Sequence, residues 1–282
     1  MLHIIEHALI DSVKLFPFLF ITYLIMEYIE HRVSKKSKET IKKSGKWGPL
    51  FGSAIGIFPQ CGFSVSATNL YAGRVITIGT LIAVYLSTSD EMLPIFISEA
   101  VPISTIVKIL LTKFVIGMAA GFLIDFIFRK TNREEEENIK DICEKEHCDC
   151  EHGIFKSALK HSINIFIFIL IISILINIGI HFIGEERISN FIQSNPILGP
   201  AIAGIIGLIP NCAASVILTK LYLSHLITAA TMISGLLVSA GVGLAVLFRI
   251  NKHLKENIKI VALLYFISVV SGVIIQLIGI KF

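Results

Sequence analysis

The chain has 282 residues, 54% of them apolar and 16% charged, with a net charge of +4 and a mean hydropathy of +0.77. That apolar excess excludes an ordinary soluble domain and points to an all-α polytopic membrane protein. The small net charge, with no basic stripe interleaved with aromatics, argues against nucleic acid as a partner.

The first residues carry His3, Glu6, His7 and Asp11 but no Lys or Arg, unlike the basic start of a cleaved signal peptide, so the apolar run 9–28 reads as a retained span. The loop 30–47 holds Arg32, Lys35, Lys36, Lys38, Lys42, Lys43 and Lys46. The positive-inside rule places it in the cytoplasm and the N-terminus outside. The next apolar run, 48–71, is broken at Pro59-Gln60-Cys61-Gly62. Pro removes a backbone donor and Gly weakens a helix, so two half-helices meeting at a break are expected there. The run 75–98 is interrupted by Ser87-Thr88-Ser89-Asp90-Glu91, and 105–128 reads as a clear span.

Residues 129–160 are too polar to enter a bilayer and include Glu134 to Glu137, Cys143, His147, Cys148, Cys150 and His152. The second half then offers apolar runs at 159–182, 196–222, 227–248 and 260–280, with a loop at 184–195 poor in Lys and Arg and a basic stretch at 249–259. The domain division expected is a first membrane repeat (1–128), a cytoplasmic linker (129–158) and a second membrane repeat (159–282).

The two halves are copies. A shift of 151 residues aligns 48–82 with 199–233 at 15 identities in 35 positions, among them Pro59/Pro210, Cys61/Cys212, Ser64/Ser215, Thr68/Thr219 and Tyr71/Tyr222. Equivalent loops carry opposite charge bias. That predicts two inverted repeats of about five full or half-membrane helices each, with broken helices at Pro59–Cys61 and Pro210–Cys212. A parallel repeat of four plus four spans is the alternative, and it would put one basic stretch outside.

A broken membrane helix exposes backbone donors and carbonyls that an intact one hides. Here each break adds a thiol and an amide: Gln60 with Cys61, and Asn211 with Cys212. Under a pseudo-two-fold the two cysteines are expected to approach each other near the midplane. Thiolates suit soft metals and arsenite-like species, while amide oxygens, hydroxyls and carboxylates suit Mn(II) and harder ions. The candidate ion-binding residues are Gln60, Cys61, Ser64, Ser87, Ser89, Asp90, Glu91, Asn211, Cys212 and Ser215. Asp90 and Glu91 are the one adjacent carboxylate pair in a presumed span, and intramembrane carboxylates are functional by default. Their plainer reading is an interfacial turn, and a Pro-x-Cys pair can also be a packing motif. Arg74 and His225 occupy equivalent positions and read as interfacial caps. No Arg or Lys pair is expected to face the breaks. In the linker, Cys143, His147, Cys148, Cys150 and His152 are soft-metal ligands at close spacing, without a zinc-finger pattern. They fit a metal-binding loop or a plain solvated linker. No P-loop, nucleophile elbow or His-Glu-x-x-His motif is present, so an enzyme is not expected and transport would be secondary.

The paired Pro59-Gln60-Cys61-Gly62-Phe63-Ser64 and Pro210-Asn211-Cys212-Ala213-Ala214-Ser215, the 87–91 polar run and the Cys/His linker resemble the ten-span heavy-metal exporters akin to ArsP-like arsenical permeases. Members of that family are labelled arsenic efflux proteins or manganese transporters. The resemblance implies efflux of a metal or metalloid ion across a bacterial plasma membrane, with the lipid bilayer as partner and no cofactor beyond the transported ion or a linker metal. It leaves open arsenical or manganese as the ion. Gly62 and Phe63 stand where the arsenical permeases commonly carry further cysteine. A homo-oligomer is compatible with the sequence. Two other functions compete: a small-anion carrier, and a non-transporting membrane metal sensor read through the linker.

Overall fold

The computed structural model describes residues 47–58, 61–89, 92–128, 154–183 and 198–280, with helical positions at 13, 16, 17, 20, 21 and 24. The regular structure of the described residues is helical throughout. The first half contains α1 (Gly48–Gly56), α2 (Cys61–Ala72), α3 (Ile78–Ser87), α4 (Met92–Ser98) and α5 (Ile103–Ile127). After α6 (Ile154–Ile183), the second half contains α7 (Gly199–Gly207), α8 (Cys212–Leu223), α9 (Ala229–Val238), α10 (Gly243–Ile250) and α11 (Leu254–Ile278). Every helix from α7 to α11 starts 151 residues after its counterpart among α1 to α5.

The local causes are duplicated too. Pro49 and Pro200 occupy the first turns of α1 and α7, where a missing N–H costs nothing. Thr77 and Thr228 cap α3 and α9, each hydroxyl accepting from the backbone N–H three residues on, which satisfies one of the orphan donors of a helix start.

Among the described residues, four segments are long and apolar enough to cross a membrane: Ile78–Ser98, Ile103–Ile127, Ala229–Ile250 and Leu254–Ile278. The protein is therefore an all-α, multi-pass membrane protein. Burial sorts the four. The interrupted segments, α3–α4 and α9–α10, are 75% and 89% buried, whereas the continuous α5 and α11 are 33% and 28% buried. The continuous helices turn Val107, Leu111, Leu123, Phe266, Ile274 and Leu277 outward, as lipid requires. Every residue of α3 and of α9 is buried, and these two helices pack on each other at the centre.

Lipid tails are as apolar as Leu, so burial of apolar surface does not drive helices together within the bilayer; close approach through small residues does. Gly121 on α5 and Gly272 on α11 show this at equivalent positions. A Cβ on Gly121 would lie 2.7 Å from the Gly79 carbonyl and 2.8 Å from Pro49 Cβ; one on Gly272 would lie 2.7 Å from Ser234 Cβ and 3.1 Å from Pro200 Cβ. The halves also exchange partners: α2 packs on α10, and α8 packs on α4.

The described helices sharpen three expectations. The span expected at 227–248 is interrupted, because α9 ends at Val238 and α10 begins at Gly243, with Gly241 at φ 56° in the turn. The stretch 249–259 is not all loop: α11 begins at Leu254, and its Asn257 is buried under hydrogen bonds with Asn251. Helix α6 begins at Ile154, inside the stretch read as linker.

Candidate functional site

The buried stripe of α5 contains Ile106, Ile109, Lys113, Gly117, Gly121 and Ile124; that of α11 contains Asn257, Ile260, Leu264, Ser268, Gly272 and Ile275. These are the same positions under the 151-residue shift. Lys113 thus takes the place of Leu264, and both are fully buried. A buried ammonium in a membrane protein must be matched by acceptors. Lys113 Nζ donates to the Thr88 carbonyl and, at 3.0 Å, to the Leu236 carbonyl. Thr88 ends α3, and Leu236 lies in the last turn of α9. One cation therefore sits on the C-terminal ends of both central helices, where carbonyls lack helical partners and the dipole is negative.

The same outer helix serves the other end of α3. Asp125 accepts from Thr77 Oγ1 at 2.7 Å and from the Gly79 N–H at 2.9 Å. So α5 supplies an anion at the N-terminus of α3 and a cation at its C-terminus, both complementing the helix dipole. In α11 the equivalent positions are Gln276 and Leu264.

The breaks are tied to one another. Ser89 Oγ donates to the Ile57 carbonyl, so the polar interruption after α3 satisfies a carbonyl freed at the end of α1. Ser87 Oγ donates back to its own helix, to Ala83 and Val84. Across the halves, Thr68 Oγ1 and Tyr85 Oη lie 2.6 Å apart, and both lie 3.3 Å from the Gly243 carbonyl oxygen. Ser64 is buried against that same glycine: a Cβ on Gly243 would meet Ser64 Oγ at 3.0 Å. The first break of one half thus packs on the second break of the other, a pairing absent from the sequence reading.

At the second-half Pro-x-Cys break, the Asn211 N–H donates to the Ile209 carbonyl at 2.7 Å around Pro210. Asn211 is buried and extended, and Cys212 is a half-buried thiol at the start of α8. Ser215 Oγ donates to the Cys212 carbonyl, and Thr219 Oγ1 to the Ser215 carbonyl, both at 2.7 Å; Thr68 repeats the latter bond to Ser64. Gln60, Asp90, Glu91, the Cys61 side chain and the linker ligands Cys143, His147, Cys148, Cys150 and His152 lie outside the described residues. Among the described residues no three His, Cys, Asp or Glu side chains converge.

A second polar cluster joins the halves at the ends of their helices. Arg74, at φ 56°, forms a bidentate pair with Glu256 at 2.7 and 3.0 Å. Tyr71 Oη and Asn251 Nδ2 also donate to that carboxylate. The expected capping role of Arg74 is therefore a cross-half ion pair. Its counterpart His225 shares the left-handed backbone, at φ 58°, but the position equivalent to Glu256 is Thr105. Neither Lys113 nor Glu256 was singled out from the sequence. Both are charges present in one copy and missing from the other, which is the signal that finds them.

Interrupted central spans, freed backbone groups at their ends and continuous outer helices define a membrane transporter architecture. The family model described as "Putative, 10TM heavy-metal exporter" matches residues 3–182, and the chain belongs to that family. The match covers the first half and α6. No curated protein and no solved structure matches the chain.

Proposed function

We propose that this protein is a secondary carrier that exports a heavy-metal or metalloid ion, Mn(II) or a trivalent arsenical, across the bacterial plasma membrane. The observation that carries this reading is the convergence of helix breaks from both halves on the buried centre, where Ser64, Thr68, Tyr85 and Gly243 meet. Broken helices place ion sites at such repeat interfaces. The ion ligands proposed are Gln60, Cys61, Ser64, Ser87, Ser89, Asp90, Glu91, Asn211, Cys212 and Ser215, with thiols serving a soft ion and oxygens a hard one. Ser87 and Ser89 have their hydroxyl protons committed to carbonyls, so they would offer only lone pairs.

The repeats are proposed to be inverted, with residues 1–128 and 159–282 as the two membrane units and 129–158 as a cytoplasmic linker. Opposite charge bias at the loops 30–47 and 184–195 supports the inversion. The equal spacing of helix starts and the reciprocal packing of α2 on α10 and α4 on α8 support a two-fold relation. Cysteine-accessibility labelling tests it: positions 40 and 190 should label from opposite sides, and labelling from the same side would exclude inversion.

Lys113 favours a second reading, a carrier of a small inorganic anion, because an ammonium at the breaks can balance negative charge. Its bonds to two carbonyls already occupy it, which favours the cation. Intracellular Mn and As measured in a knockout strain, with and without the gene, separate the readings. Export requires the metal to accumulate in the knockout.

A further inference from the structure

We propose that the Lys113 ammonium is a tethered replacement for a coupling alkali cation, filling a cation site built from the C-terminal ends of α3 and α9, so that the carrier closes this site without sodium. The inference concerns the coupling ion of the proposed carrier and rests on the transport reading only for that consequence. The occupancy of the site is testable without flux.

The site has the composition of an alkali-ion cradle. Its two identified oxygens are main-chain carbonyls, of Thr88 and Leu236, from the last turns of two different interrupted helices. Such half-helix C-terminal carbonyls coordinate sodium in carriers built on broken helices. An ammonium offers three donors and no acceptor, and is a compact point charge on a flexible stem. It therefore satisfies carbonyls as a small cation does, while being anchored to α5. In the second copy Leu264 occupies the equivalent position, so the replacement is made once, in one half.

The test uses the purified full-length protein and its thermal unfolding midpoint in sodium chloride against choline chloride at matched ionic strength. Wild type should show no sodium effect beyond that of choline. Lys113→Ala vacates the cradle: its midpoint should fall in choline and rise saturably with sodium, by roughly 5 °C when sodium is far above its dissociation constant. Lys113→Met fills the space without charge and should be destabilised and blind to sodium, whereas Lys113→Arg should keep most of the stability without it. Saturable, sodium-specific stabilisation of wild type would overturn the proposal, because the ammonium would not be holding the site. A Lys113→Met protein as stable as wild type would overturn it as well. If Lys113→Ala fails to fold in either salt, the Met and Arg variants decide: retention of Arg with loss of Met supports the proposal, and loss of both leaves a packing role and sinks it. Sodium-insensitive wild type with no metal flux would refute the transport reading alone.

Discussion

The two halves share a skeleton and divide the chemistry unequally. Thr77 and Thr228 cap α3 and α9 in the same way, Thr68 and Thr219 make the same 2.7 Å bond one turn back, and Gly121 and Gly272 meet the same partners. These features occur in both copies because the geometry of a closely packed, interrupted membrane helix demands them. The charges of the buried polar clusters do not occur in both. Lys113 stands against Leu264, Asp125 against Gln276, Asp90 against Gly241 and Arg74 against His225. Duplicated residues build the scaffold, and the charges of its buried polar clusters stand in one copy. Buried intramembrane charges are costly, so their restriction to one copy argues that a symmetric pair was not needed to hold the fold.

The largest contrast is expected in the scaffold. Gly121→Val and Gly272→Val both force a side chain onto neighbouring backbone and Pro at 2.7–3.1 Å. Each should cost about 2–3 kcal/mol or more, read as matching losses of monodisperse protein in detergent. A loss in one half alone would break the equivalence of the two scaffolds.

The cross-half ion pair should show the opposite behaviour. Arg74 and Glu256 are mostly buried, at 16% and 20% side-chain exposure. A double-mutant cycle with Arg74→Gln and Glu256→Gln should give a coupling energy of about 1–2 kcal/mol in thermal unfolding, above the value for an exposed pair. Arg74→Lys should recover little of it, because an ammonium cannot make the bidentate contact. The matching pair His225→Gln and Thr105→Val should show no coupling, and a coupling of similar size there would erase the asymmetry.

The smallest expected effect separates backbone from side chain at the same corner. His225 is exposed at φ 58°, a conformation that favours glycine, so His225→Gly should stabilise by up to about 1 kcal/mol. Arg74→Gly gains the same backbone relief at φ 56° but loses the Glu256 pair, and should destabilise on balance.

The comparison also explains what could be read in the sequence. Pro59, Pro210 and the polar run 87–91 punctuate apolar stretches, so the first breaks and the membrane architecture were legible. The interruption at 239–242 was not, because Ser-Ala-Gly-Val is as apolar as the helices it joins; only Gly241 and Gly243 mark it. Lys113 hides in the run 103–127, where Lys108 precedes it and a lysine can snorkel to the interface. Its burial depends on packing against α3 and α9. Glu256 hides in a stretch whose Lys and Arg read as a basic loop. The reciprocal packing of α2 on α10 and α4 on α8 has no local signal, because register between distant membrane helices is set by tertiary fit.

The central proposal, ion export through the paired breaks, meets its most direct test in inverted membrane vesicles energised with respiratory substrate. Uptake of Mn(II), arsenite and Zn(II) would be measured for wild type, Cys61→Ser with Cys212→Ser, and Asp90→Asn. Wild type should accumulate at least one of the three above vesicles lacking the protein. If that ion is arsenite, the double cysteine variant should abolish uptake and Asp90→Asn should be mild; if it is Mn(II), the order should reverse, since oxygen ligands dominate its binding. Accumulation of none of the three, or wild-type uptake by both variants, would contradict export through these breaks.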